Sequence, residues 1–158
     1  MKSYRNRLLL FIAFLCFASL GVAMVSQHVF DMQACAWCVM QRVIFLVIGL
    51  VALIGSIAGR MISRIAALLI MILGSLGIAA AWHRYTVASK SLSCAMTFAD
   101  RFINSFGFDA AAPWFFGIYA SCAEATVSLF GVEYALWGLA LFGMLALLAL
   151  PAAFKRGA

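Results

Sequence analysis

The sequence predicts an all-α integral membrane protein, a four-helix bundle with one long outer loop that carries a short interfacial helix. Three observations predict it. Hydrophobic residues make up 67% of the 158 and charged residues only 10%, whereas an ordinary soluble domain is about half apolar. Four apolar runs, about 8–25, 43–58, 65–82 and 134–150, each approach the roughly 20 residues that cross a bilayer. The charges sort between alternate connecting segments. Lys2, Arg5 and Arg7 precede the first run, Arg60 and Arg64 separate the second from the third, and Lys155 and Arg156 follow the fourth. None of these places holds an acid, and the positive-inside rule makes them cytoplasmic. All five acids, Asp31, Asp100, Asp109, Glu124 and Glu133, fall in the other two segments, about 26–42 and 83–133, which therefore face outward. The net charge of +6 thus reports topology within a single membrane domain, 1–158, and not a nucleic-acid surface.

The first run follows basic residues and contains Gly21-Val22-Ala23, features shared with cleavable signal peptides. It exceeds the roughly 7 to 15 residues of a signal core, so it reads as a retained span. Cys16 lies near its middle and reads as a small buried hydrophobe. His28 and Asp31 sit in the short outer loop that follows, where a histidine is expected to be solvated.

The octet Cys35-Ala-Trp-Cys38-Val-Met-Gln41-Arg42 opens the second span. A Cys-x-x-Cys pair can make and break a disulfide, and if Ala36 begins a helix, Cys38 and Arg42 stand at i and i+4 on one face. A guanidinium and a helix N-terminus both favour thiolate over thiol, so the spacing reads as a reactive dithiol. An arginine at the rim of a span needs a reason, and the dithiol supplies one.

Gly55 and Gly59 in the second span, and Gly74, Gly77 and Ala81 in the third, are small residues at spacings that let helices pack closely. A tight turn over about 59–64 makes these two spans an antiparallel hairpin. His83, Arg84 and Tyr85 emerge at its outer end, at roughly the depth of Arg42, where a cavity can open between helices. A headgroup anchor made of Trp82, Arg84 and Tyr85 is the alternative for the same residues.

In the long outer loop a polar run from Ser89 to Ser93 directly precedes Cys94, which should leave that sulfur accessible. Phe98, Phe102 and Phe106 then recur at i, i+4 and i+8 with Ile103 alongside, the pattern of an amphipathic helix on a membrane surface. Cys122 follows after an aromatic stretch around Pro113 and Trp114. Four outward cysteines in an oxidising compartment are most economically two disulfides, Cys35 with Cys38 and Cys94 with Cys122, although three pairings are possible. A zinc site competes poorly, because structural sites usually show two short Cys-x-x-Cys knuckles and the second pair here spans a long loop.

Taken together, these features resemble the DsbB family, the bacterial inner-membrane quinone reductases that reoxidise the periplasmic dithiol oxidase DsbA. The residues that carry the resemblance are Gln27-His28-Val29, the Cys-x-x-Cys-x-x-Gln-Arg motif from Cys35 to Arg42, His83 at the end of the third span, Cys94 and Cys122, and Cys122-Ala-Glu124 leading to Phe130-Gly131 and Trp137. The chain departs from the family pattern at Trp37, Trp82 and Ala135, where leucine, a basic residue and a proline are common. The Cys-x-x-Cys precedes the loop pair, the reverse of the order in vitamin K epoxide reductase-like proteins.

The resemblance implies a protein-dithiol:quinone oxidoreductase with Cys35, Cys38, Cys94 and Cys122 catalytic and ubiquinone or menaquinone as acceptor. Arg42, Cys38, His83 and Gln41 would form the quinone site. DsbA would be the partner, both termini would be cytoplasmic, and the cysteine loops periplasmic. The competing class is a non-catalytic tetraspan protein whose cysteines serve stability or zinc.

Overall fold

The computed structural model describes residues 2–87, 90, 98–120, 124 and 127–154. Cys94 and Cys122, with all of the polar run before Cys94 except Lys90, lie outside the described residues. The elements in chain order are α1 (Lys2–Val29), α2 (Ala36–Ile57), α3 (Arg60–Thr86), α4 (Phe98–Ser105), α5 (Phe108–Ala111), α6 (Pro113–Phe116), β1 (Ser128–Leu129), β2 (Val132–Glu133) and α7 (Tyr134–Phe154). Four of them, α1, α2, α3 and α7, are long and apolar enough to cross a membrane. They form the four-helix bundle: α1 packs along α2, α2 along α3 and α3 along α7, and α1 against α7 closes the ring.

Each helix overruns the apolar stretch that announced it. Helix formation needs backbone bonds and the absence of breakers, not apolarity, so α1 takes in its basic start and α3 continues through His83 and Arg84. The largest difference is in α2, which begins at Ala36 and not near residue 43. Cys35, in extended conformation at φ −89° and ψ 167°, marks the boundary. Cys38, Gln41 and Arg42 therefore sit on the first two turns of a spanning helix, with Cys38 and Arg42 at the i and i+4 spacing expected if Ala36 begins it.

Inside a bilayer, helices associate through close packing more than through apolar burial, and small residues permit the approach. A Cβ on Gly77 would overlap the ring of Phe142, and one on Gly55 would lie 2.6 Å from the Ala66 methyl. Gly59, by contrast, faces open space at the start of α3. The α2–α3 turn is held by Ser63, whose hydroxyl donates to the carbonyls of Gly55 at 2.7 Å and Gly59 at 3.0 Å. At the bundle centre Phe45 stacks on Phe142 with ring centroids 4.1 Å apart, a pairing worth about 0.5–1.5 kcal/mol beyond its area. Cys16 is fully buried in this same cluster beside Leu9, Ile12 and Ile48, in line with its reading as a hydrophobe.

The outer segment folds over the mouth of the bundle. In α4 the buried face is Ala99 and Ile103, which dock on the start of α2, while Phe98 and Phe106 point away. The phenylalanine ladder still forms, with Phe102 and Phe106 rings 4.8 Å apart, but it flanks the docked face and is not itself that face. Gly107 ends the turn after α4 at φ 66°, a left-handed conformation that glycine adopts without strain. The short hairpin of β1 and β2 turns at Phe130 and Gly131, φ 54° and 79°, as a two-residue type I′ turn requires. It runs directly into α7, where the Trp137 indole donates to the Leu129 carbonyl at 3.3 Å.

Candidate active site

The dithiol is built by the start of α2. The Val39 N–H donates to the Cys35 carbonyl at 3.1 Å, which closes the first helical turn. That turn brings Cys38 Sγ to 3.0 Å from Cys35 Sγ, both sulfurs being free thiols. Their surroundings differ. Cys35 is completely buried among Trp37, Ala80 and Ala99, with Ile118 and Ala120 of the outer segment packed against the same cluster. Cys38 is half-buried and opens onto a cavity between α1, α2 and α7.

The cavity has a volume of about 380 Å3, within the range of about 300–1,000 Å3 found for small-molecule sites. Its walls are apolar, formed by residues such as Leu20, Ala23, Phe45 and Leu141. Its polar lining includes Cys38, Gln41, Arg42, Arg84 and Tyr134, with Ser19, Ser26 and Gln33 on the α1 side. Helical spacing explains the first three: Gln41 and Arg42 follow Cys38 by one turn, on the face that α2 turns toward α1 and α7.

Arg42 is only 8% exposed, and its orientation is fixed from two sides. Its Nη1 donates to Gln27 Oε1 at 2.5 Å and to the Phe115 carbonyl at 3.1 Å, with Met24 Sδ at 3.9 Å. One cation thus ties together the end of α1, the start of α2 and α6 of the outer segment. Neighbouring bonds hold that segment in place. The Tyr119 N–H donates to the Ala34 carbonyl at 3.0 Å, its hydroxyl to the Pro113 carbonyl at 2.8 Å, and His28 Nε2 lies 3.2 Å from the Trp114 carbonyl oxygen. His28, read from the sequence as solvated, is indeed exposed but latches this segment.

Gln41 is equally buried, and its Nε2 has no hydrogen-bond partner among the described residues. Its Oε1 stands where Gly138 leaves room: a Cβ there would lie 3.2 Å away. A buried amide donor left without a partner is uncommon in a folded protein.

Of the adjacent pair on α3, Arg84 and not His83 reaches the cavity. Arg84 is 2% exposed and contributes to the lining. His83 is exposed on the neighbouring face, with its ring 4.7 Å from Trp37, away from the cavity lining. Successive helical residues point about 100° apart, so only one of the two can face inward. Gln27, named in the sequence only within a motif, is the other contributor whose role was not read. Both extend inward-facing stripes, Gly77–Ala81–Arg84 on α3 and Cys16–Leu20–Gln27 on α1.

The family model described as disulfide bond formation protein DsbB matches residues 5–152. The chain belongs to the DsbB family. It is 32% identical over 142 residues to disulfide bond formation protein B 1 of Pseudomonas aeruginosa, covering 86% of this chain and 87% of that protein. It is 29% identical over 138 residues to disulfide bond formation protein B of Herminiimonas arsenicoxydans, covering 87% of each. With the protein of the same name from Ralstonia nicotianae it shares 27% identity over 158 residues, 99% of this chain and 98% of the relative. As a DsbB-family protein it is a multi-pass, disulfide-forming membrane oxidoreductase. The DsbB match covers all four long helices and the outer segment between α3 and α7, so no part of the described site lies outside it.

Proposed function

We propose that this DsbB-family chain reoxidises a reduced DsbA-like dithiol oxidase at the outer face of the bacterial inner membrane and delivers the two electrons to a membrane quinone, ubiquinone or menaquinone. The observation that carries the reading is the division of the dithiol: Cys35 is buried beneath the outer segment, while Cys38 opens into a cavity holding Arg42, Arg84 and Gln41. Ala120, two residues before Cys122, packs in the Cys35 cluster, which supports a relay between the loop pair and Cys35.

The exchange steps balance as follows. A thiolate of the reduced partner attacks Cys94 of a Cys94–Cys122 disulfide, forming a mixed disulfide and releasing Cys122 as a thiolate. Cys122 attacks Cys35 of the Cys35–Cys38 disulfide; the Cys35–Cys122 bond forms and Cys38 leaves with the electron pair. The partner's second thiol then resolves the mixed disulfide, and the freed Cys94 re-forms its bond with Cys122. The partner ends oxidised, the loop pair is restored, and Cys35 and Cys38 hold the two electrons.

The cavity fits a quinone ring. Flat apolar walls accept the ring, and the unmatched Gln41 Nε2 offers a donor to a ring carbonyl. Arg42 and Arg84 stabilise negative charge as it develops at Cys38 and at the ring oxygens, and Arg84 takes the place that the sequence assigned to His83. The chemistry a quinone supplies there is acceptance of two electrons and two protons, which restores the Cys35–Cys38 disulfide. The DsbA, DsbB and quinone couple is the known means by which bacterial periplasm is kept oxidising. Cytoplasmic termini and periplasmic cysteine loops follow from the charge distribution. A reduced DsbA variant that lacks its second thiol tests the order of events: its remaining thiolate should break the Cys94–Cys122 bond of the parent chain and accumulate as a mixed disulfide with Cys94, and a mixed disulfide on another cysteine would remove Cys94 as the entry point.

A further inference from the structure

We propose that Tyr134 is a further catalytic residue of this site: its phenol gives a proton to a ring oxygen of the bound quinone as the dithiol supplies the electrons. The inference rests on the quinone reading and adds to it the source of a proton that reduction requires.

Tyr134 opens α7 directly after the β1–β2 hairpin. Its N–H donates to the Val127 carbonyl at 2.9 Å, and its half-buried side chain lines the cavity with Cys38, Gln41 and Arg42. Gly138 stands one turn further along α7 on the same face. A Cβ at Gly138 would lie 3.2 Å from Gln41 Oε1, so this face of α7 is turned toward the first turns of α2. Tyr134 is also within electrostatic reach of Arg42, as are Cys35 and Cys38.

The chemistry of the lining singles this residue out. Reduction to a quinol adds two protons with the two electrons, and among the described residues that line the cavity there is no aspartate, glutamate, histidine or lysine to supply them. The Ser19 and Ser26 hydroxyls already donate to the Leu15 and Val22 carbonyls of their own helix, at 2.6 and 2.8 Å. The Trp137 indole is likewise engaged with the Leu129 carbonyl. The guanidinium groups of Arg42 and Arg84 stay protonated, and the amides of Gln33 and Gln41 can donate hydrogen bonds without releasing a proton. Cys38 supplies electrons as a thiolate and has no proton left to give. A phenol is the strongest acid that remains on the cavity wall, and tyrosine is among the side chains that serve as general acids.

The step balances. The electron pair leaves the dithiol as the Cys35–Cys38 disulfide closes, and the quinone is the oxidant. The Tyr134 O–H bond breaks and a ring O–H bond forms. Arg42 holds the phenolate that remains until a proton from the outer water restores it. The second ring oxygen takes its proton from the same water, into which the partner's two thiols release theirs.

The test uses the full chain in lipid nanodiscs with ubiquinone-1 and no DsbA. In single turnovers from the reduced dithiol, Tyr134→Phe should slow quinone reduction by about 100-fold or more. Affinity for ubiquinone-1, measured by isothermal titration calorimetry on the oxidised chain, should weaken by no more than about tenfold, the loss of one hydrogen bond. A 3-fluorotyrosine placed at position 134, nearly the same in shape and a stronger acid, should keep most of the parent rate. Infrared difference spectra of bound ubiquinone-1 give a readout independent of turnover: a ring carbonyl band lowered by hydrogen bonding in the parent should lose that shift in Tyr134→Phe. A rate within about threefold of the parent in Tyr134→Phe, carbonyl bands that this substitution leaves unchanged, or a 3-fluorotyrosine chain as slow as Tyr134→Phe would each overturn the proposal. Failure of ubiquinone-1 to bind the parent would instead remove the quinone reading on which the proposal stands.

Discussion

Arg42 Nη1 and Gln27 Oε1 are 2.5 Å apart, a bond between the second turn of α2 and the end of α1 that sets where the cation stands relative to Cys38. Replacing Gln27 by leucine removes an acceptor from a buried guanidinium, a loss of about 1.5–3 kcal/mol for a hydrogen bond to a charged group. The expected outcome is a rise of about tenfold or more in KM for quinone, with the rate of thiol exchange with DsbA unchanged. Steady-state kinetics at varied quinone, with single-turnover exchange measured separately, distinguish the two effects. Equal losses in both would show that Gln27 supports the fold and not the site.

Ile103, buried on α2, anchors α4, whereas Phe98 on the same helix is exposed. Ile103→Asp places an unpaired carboxyl in that contact and should undock α4 from above Cys35. Transfer between the loop pair and the α2 dithiol should slow by about tenfold, while Phe98→Asp should change it by about twofold or less. Quenched-flow trapping of the Cys35–Cys122 species measures this step. If Phe98→Asp is the more damaging change, the exposed aromatic ladder, seated on a membrane surface, matters more than the docked face.

Gly77 and Gly59 give opposite expectations for the same substitution. A Cβ at Gly77 would overlap Phe142, so Gly77→Ala should cost about 1–3 kcal/mol by overpacking and lower the thermal unfolding midpoint in detergent. Gly59 is open, with φ at −65°, so Gly59→Ala should stay within about 0.5 kcal/mol of the parent. Thermal unfolding of the two variants in one detergent checks both.

Much of this fold was legible because a bilayer forces long apolar helices and sorts charges by side. The four helices, the dithiol at the start of α2 and the buried place of Cys16 follow from those rules. Helix starts were less legible, because apolarity marks where the membrane begins and not where hydrogen bonding begins: the second apolar run starts near residue 43, and only the dithiol spacing pointed to a helix start at Ala36. Arg84 was placed with His83 at the depth of the cavity, but which of the two faces inward was not read. The register that decides the matter was nonetheless in the sequence, since the small-residue stripe through Gly77 and Ala81 continues to Arg84 and not to His83. Gln27 lies on an equivalent stripe of α1, but its partner is one turn into α2 and became visible only when the two helices were packed. The hairpin at Phe130 carries its turn on a phenylalanine at positive φ, a conformation that no sequence pattern marks for that residue type.

On the proposed route, electrons enter through the loop cysteines, cross to Cys35 and leave from Cys38 beside Arg42. Its most direct measurement is quinone consumption by the purified chain supplied with reduced DsbA, followed by absorbance, in the parent and in the Cys35→Ser and Cys94→Ser variants. One quinone should be reduced per DsbA disulfide formed in the parent and none in either variant. Sustained quinone reduction in Cys35→Ser, or a parent that forms DsbA disulfides without consuming quinone, would contradict it.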